Sequence, residues 1–392
     1  MSLNKQPDPI KVGIAGTGFV GRGLSQLLAN RGDVQVSGVL TRRKGSIPGL
    51  GVPANMVTNE PRRLFELSDV IVVSTGDPIY STEIIDLAFD YGLPVVTMDV
   101  DTLVVAGSWL KRRGLVTEAE GDQPGCLATL KEEALQMGFT PLVYGNIKWY
   151  LNHSPTLEDM QYWGKKQGYS LQSVTSFTDG TKLQAEQCLV ANGLGATITR
   201  QGLEGIRSGS LEEGSAKLAG IAKSFGKPIS DYIICHGAPP GVFIAATHAE
   251  NLAWGLETYK LGRGPFYLLH RPYHLCFFEI PKTILRFMQT REVLLDNGLY
   301  PEVSVGAIAK KELVPGTLIK KGIGSMEVRG ETLKILDAPG HVPVGLMDKV
   351  HIKRKVEAGQ LITWDDIDFP ESKAATAWIE TMKLVKIQAV VA

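Results

Sequence analysis

IKVGIAGTGFVGRGLSQLLANRG, residues 10–32, decides the reading of the N-terminal part of the chain. The apolar run Ile10–Ala15 reads as a buried parallel strand. Gly16-x-Gly18-x-x-Gly21 follows at once, and Leu24, Leu27 and Leu28 then share one helical face. At that spacing Gly16 permits the tight turn, Gly18 lets backbone approach a pyrophosphate, and Gly21 lets the helix pack closely on the strand. Thr17, Phe19 and Val20 complete the loop, and the helix N-terminus faces the phosphates. The stretch predicts a dinucleotide-binding strand, turn and helix.

Working outward, VQVSGVL (34–40) is a second strand, ending where a ribose-reading acid would signal NAD. Thr41, Arg42 and Arg43 stand there instead, and two guanidinium groups can grip a 2′-phosphate, so NADPH is expected in preference to NADH. DVIVVSTG (69–76) places Ser74, Thr75 and Gly76 at a strand's carboxyl end, STEIIDLAFDYG (81–92) is an amphipathic helix, and LPVVTMDVD (93–101) is a third strand ending in Asp99 and Asp101. PLVYGNIK (141–148) reads as a late strand carrying Asn146 and Lys148 to the same edge. The alternation predicts an α/β fold with a doubly wound parallel sheet and ligands beyond its carboxyl ends. EGDQPG (120–125) is a turn with Asp122 ahead of a proline.

Composition sets the bounds. The 392 residues suggest two or three domains, and 44% apolar with 21% charged residues is the balance of a globular protein. Lys plus Arg equals Asp plus Glu, 41 of each, so no net field favours nucleic acid or an anionic membrane. The opening MSLNKQPDPIK lacks a signal-peptide pattern, and no apolar run reaches membrane-spanning length. Cys126, Cys188, Cys235 and Cys276 form no C-x-x-C pair, which suits free thiols in a reducing, cytoplasmic setting.

Two polar segments stand out beyond residue 149. FTDGTKLQAEQ (177–187) spaces Asp179, Lys182 and Glu186 three and then four apart, within about 60° of one another on a helix. A capped, solvated helix start and a catalytic constellation both fit that spacing. YKLGRGPFYLLHRPYHLCFFEIPKT (259–283) sets Lys260, Arg263, Arg271, His274 and Glu279 among aromatics, where polar groups are costly unless satisfied or used. His270 and His274 are four apart, but Pro272 between them argues against a helical zinc site. Near the C-terminus, AIAKKELVPGTLIKKGIG (307–324) and HIKRKVEAGQLITWDDID (351–368) repeat one frame, aligning Ile308 with Ile352, and suggest a small duplicated β module.

Assembled, GTGFVGRG, EGDQPG, GNIK, TSFTDGTKLQAEQCLVAN, YKLGRGPFY, RPYHLCFFEIPKT and the repeat make the chain resemble the homoserine dehydrogenase-like oxidoreductases with a C-terminal SAF domain, the group that includes deoxyxylulose-5-phosphate reductoisomerase-like enzymes. The resemblance implies an NADP-binding Rossmann domain (1–148), a central homoserine dehydrogenase-like α/β domain (149–300) and a β-clip SAF-like domain (301–392). It implies NADPH-linked reduction of a carbonyl in a hydroxy-aldehyde, ketose or sugar phosphate, with or without isomerisation. Lys182 would handle the proton, with Asp179, Glu186 and Lys148 beside it; Asp122, Asn146, His274 and Lys260 would bind substrate. A divalent metal on Asp179, Glu186 and Asp122 is an option that no spacing demands. Relatives carry Asn and Glu where Asp99 and Asp101 stand, so their substrate is no guide to this chain's. Homoserine dehydrogenase itself and a non-catalytic NADP-sensing or sugar-binding protein are the alternatives. The partner is a small molecule, and the central domain implies a homo-oligomer.

Overall fold

The computed structural model describes residues 8–44, 47–368 and 371–391. Residues 1–7, read above for a leader pattern, lie outside that set. The first sheet contains β1 (Ile10–Ala15), β2 (Val34–Leu40), β3 (Val57–Thr58), β4 (Val70–Val73), β5 (Val95–Thr97) and β6 (Val116–Glu118), ordered β3-β2-β1-β4-β5-β6 with every pair parallel. This is the dinucleotide-binding order, whose switch point falls between β1 and β4. Val70–Val73 are wholly buried, as a strand covered by helices on both faces requires.

The second sheet contains β7 (Thr140–Lys148), β8 (Ile206–Arg207), β9 (Ile229–Ile234), β10 (Val242–Thr247) and β11 (Tyr267–Arg271), ordered β11-β10-β7-β9-β8. β7 runs parallel to β9 and antiparallel to β10. It was expected as a late strand of the first sheet and is instead the centre of the second. Periodicity marks β7 as buried but cannot say which sheet receives it.

In the C-terminal part, β12 (Val303–Ala309) pairs antiparallel with β14 (Val328–Lys334), and β13 (Leu318–Ile319) with β15 (Val350–His351). The two copies of the sequence repeat pair with each other: Leu313 and Val356, which occupy matching places in the frame, exchange backbone hydrogen bonds of 2.9 and 3.0 Å. β14 lies along the helix Thr181–Leu194: Thr181 Oγ1 accepts from Gly330 N at 2.9 Å, and Gln184 Oε1 accepts from Thr332 N and Oγ1 at 2.8 and 2.7 Å. The chain then adds a helix, Lys373–Val391, that the β reading of this region did not anticipate. It packs on the helix Pro78–Asp90, where Lys373 pairs with Asp86, and Trp109 Nε1 donates to Glu380 at 2.6 Å. No helix among the described residues is long and apolar enough to cross a membrane.

Candidate active site

The glycine turn after β1 is built as a phosphate cradle. Gly16 has φ +128°, and a Cβ there would lie 2.4 Å from Ser74 O; one on Gly21 would lie 2.2 Å from Gly16 O. A Cβ on Gly18, at the N-terminus of the helix Phe19–Leu28, would meet nothing within 4 Å, so open space lies where a dinucleotide phosphate must come. Beside the turn, Ser74 Oγ is buried and has no hydrogen-bond partner among the described residues. These features fit a bound dinucleotide. Thr17 Oγ1 and Thr41 Oγ1 are 3.2 Å apart, Arg43 N donates to Thr41 Oγ1, and the Arg42 guanidinium lies 4.2 Å over the Tyr80 ring. The amides of Thr75 and Gly76 are engaged by Asp99 at 2.8 and 3.1 Å, so Asp99 shapes the loop after β4. Phe19 is exposed and meets Tyr169 and Phe277 edge-on, while Val20 is half-buried behind it.

Lys182 is the hub of a second group. Its Nζ lies 2.5 Å from Asp122 Oδ2 and 3.7 Å from Glu186 Oε1, one turn on along its helix. Glu186 Oε2 accepts from Asn146 Nδ2 at 2.8 Å and lies 3.6 Å from Lys148 Nζ, so β7 supplies both of these partners. The Gln123 amide sits between Asn146 and Glu186; with its nitrogen turned to the carboxylate it donates to Oε1 at 2.7 Å. Asp122 also caps the helix Gln123–Gln136 through Gln123 N at 3.1 Å, which fixes it against Lys182. His274 Nδ1 is 3.3 Å from Gly121 O, placing the ring next to the same turn.

Charge explains the protonation states. Burial would lower the Lys182 pKa, but Asp122, Glu186 and Asp101 outweigh it and hold the lysine well above its ordinary value. Burial pushes Asp122 up, yet the Lys182 charge and hydrogen bond keep it below the usual carboxylate range. Glu186 is raised, chiefly by burial and against the pull of Lys148. Burial lifts Asp101 to about 6, opposed by Lys182 and assisted by Asp99. The centre therefore holds a persistent ammonium among carboxyls of graded acidity.

Asp179 does not join this group. The helix Leu171–Thr178 ends at Asp179, Gly180 takes φ +88°, and a new helix starts at Thr181, so the expected single charged stripe is broken. Asp179 Oδ2 instead lies 2.6 Å from Lys310 Nζ, with both side chains buried. The trio Asp179, Glu186 and Asp122 is accordingly not assembled as metal ligands, and no described group of three or more His, Cys, Asp or Glu is arranged to hold a metal. Lys260 is exposed on the turn after the helix Ala253–Thr258, outside the Lys182 contacts.

Sequence reading missed Gln123 and Glu118, and singled out Arg271 without its partners. Gln123 was passed over as part of a turn. Glu118, the last residue of β6, is buried with neither carboxylate oxygen hydrogen-bonded among the described residues, and burial and Asp122 hold its pKa well above normal. Arg271 Nη1 donates to Glu120 at 2.6 Å and Nη2 donates to Glu279, while Lys282 Nζ lies 2.5 Å from Glu120. This network and the Cys276 N to Gly121 O bond (2.9 Å) pin segment 272–279 onto the Asp122 turn. The alternating acids of TEAEGD (117–122), at a strand's carboxyl end, were the available signal.

Residues 121–280 match the sequence model of a family described as "Oxidoreductase DRL, catalytic domain". The matched stretch takes in Asp122, Asn146, Lys148, Lys182, Glu186 and His274. With the dinucleotide-binding sheet ahead of it, that match supports an NAD(P)-dependent oxidoreductase. Among solved structures, UDP-N-acetylglucosamine 3-dehydrogenase GnnA from Acidithiobacillus ferrooxidans is 13% identical over 74% of this chain and 92% of its own, at a TM-score of 0.42. A homoserine dehydrogenase from Thiobacillus denitrificans is 17% identical over 47% of this chain and 48% of its own, at 0.33. Biliverdin reductase from Synechocystis sp. PCC 6803, solved with biliverdin and NADP+, is 14% identical over 38% and 49%, at 0.29. Likeness at this level identifies no substrate. No curated protein matches the chain.

Proposed function

We propose that the chain uses NADPH to reduce a carbonyl of a small hydroxy-aldehyde, ketose or sugar phosphate, with Lys182 as the proton donor. The observation that carries this reading is the half-buried Lys182 ammonium, 2.5 Å from Asp122 and 3.7 Å from Glu186. When bound, the reduced cofactor supplies a hydride. Gly16, Gly18 and Gly21 would admit its phosphates, with Thr17, Thr41, Ser74, Thr75 and Gly76 around them, and Arg42 and Arg43 would receive a 2′-phosphate. Lys182 Nζ stabilises negative charge growing on the carbonyl oxygen and gives that oxygen its proton. Asp122 orients the ammonium. Glu186, held by Asn146 and Lys148, accepts a substrate hydroxyl proton or hydrogen bond. Lys148 offers positive charge, and His274 a ring nitrogen, to a phosphate or carboxylate at the far end of the substrate.

We place the centre between a Rossmann domain and a homoserine dehydrogenase-like domain, with the C-terminal repeat as a SAF-like module, and we propose a homo-oligomer. The test is loss of NADPH near-ultraviolet absorbance with a panel of aspartate semialdehyde, deoxyxylulose phosphate and other sugar phosphates. Running it with and without magnesium or manganese separates simple reduction from the reductoisomerase-like version. Turnover that survives Lys182→Ala overturns the assignment.

A further inference from the structure

Lys321 belongs to the C-terminal unit, yet its Nζ stands 3.9 Å from Asp77 Oδ2 at the start of the helix Pro78–Asp90. The same oxygen accepts from Arg42 Nη2 at 3.0 Å. Asp77 Oδ1 is occupied by the Tyr80 amide at 3.1 Å, and Lys321 is anchored from its other side by Asp348. Gly345 packs here as well, since a Cβ on it would lie 3.3 Å from Pro78. The C-terminal unit is thus seated at the adenosine end of the cleft, beside the arginine that would read a 2′-phosphate.

Asp77 is an awkward neighbour for such a phosphate. Burial raises its pKa, but the Tyr80 amide, Lys321 and Arg42 together hold it below the usual carboxylate range, so it is ionised at neutral pH. That carboxylate already engages Arg42, and without a second cation beside it its charge would repel an incoming dianion.

We propose that Lys321 is a cofactor-specificity residue that shares Asp77 with Arg42, offsetting that carboxylate's charge beside the guanidinium that would receive the 2′-phosphate of NADP(H). The proposal rests on the NADPH reading above and extends it to a part of the chain outside the dinucleotide-binding sheet. It does not require Lys321 to touch the phosphate.

The experiment is fluorescence titration of the full chain with NADPH and with NADH. Wild type should bind NADPH more tightly, and Arg42→Ala with Arg43→Ala should erase the difference. Lys321→Met should weaken NADPH about fivefold and leave NADH within about twofold, the scale of a solvent-exposed charge contact. Lys321→Arg should keep the preference. Asp77→Asn retains a helix-capping side chain; added to Lys321→Met it should restore NADPH binding. An intact preference in Lys321→Met, or equal weakening of both cofactors, overturns the proposal while the arginine reading stands. A wild type without preference overturns the NADPH reading and the proposal together.

Discussion

Asp179 and Lys310 form a buried ion pair, 2.6 Å apart, that joins the segment just before the Lys182 helix to the residue after strand β12 in the C-terminal unit. Asp179 Oδ1 also accepts from Thr181 N at 2.8 Å. The acid that sequence spacing placed beside Lys182 therefore fixes where the Lys182 helix begins.

Breaking that pair from one side should be costly. Lys310→Met leaves a buried, uncompensated carboxylate, and urea unfolding should show a loss of about 3–5 kcal/mol. The double change Lys310→Met with Asp179→Asn should recover much of it, because no charge then remains buried. Additive losses would show that the two residues do not act as a pair.

Lys182→Ala should lower kcat by about 100-fold or more with NADPH affinity close to wild type, once a substrate is in hand. Steady-state kinetics beside a cofactor titration checks both halves. Equal losses in turnover and cofactor affinity would place Lys182 in the cofactor pocket instead.

Gly21→Ala forces a methyl group to 2.2 Å from the Gly16 carbonyl oxygen. Because the obstacle is backbone, the turn itself must shift. Dinucleotide affinity should fall about tenfold or more, and the melting temperature should drop, on the scale of about 1–3 kcal/mol of overpacking. Gly18→Ala, with open space at its Cβ, should leave the melting temperature near wild type and affect cofactor binding alone.

Asp101 gives a pH prediction. Its pKa is about 6 in the folded chain, raised by burial, against an ordinary 3.8. The folded state therefore binds the proton more tightly than the unfolded state does. The resulting stabilisation is full below about pH 4 and is lost as pH rises through about 6. Asp101→Asn should remove that downward contribution, so the variant's stability relative to wild type should rise between pH 4 and 6 in denaturant titrations. A pH-independent difference would mean that Asp101 is not the group responsible.

The first sheet was legible because its chemistry is local. Gly16, Gly18 and Gly21 follow an apolar strand at fixed spacing, and the strand order then follows from chain sequence and handed crossovers. The assembly of Lys182 with Asp122, Asn146 and Lys148 came from named blocks, but their mutual distances depend on β7, whose sheet was misassigned. Asp179 was misplaced because a charge pattern read at 100° per residue cannot register the helix break at Gly180. Lys310 and Lys321 sit in a duplicated module read mainly as structural, and no local pattern announces what they reach.

The helix Lys373–Val391 packs on the helix Pro78–Asp90, and so a helix of the dinucleotide-binding half is covered by residues made much later. During synthesis the dinucleotide-binding half waits with that face bare while the second sheet and the paired repeat are completed. Biogenesis of this enzyme is therefore a closing circle rather than a row of independently finished domains. An interruption after residue 371 would leave a chain with its glycine motif intact and an apolar face exposed to chaperones and proteases.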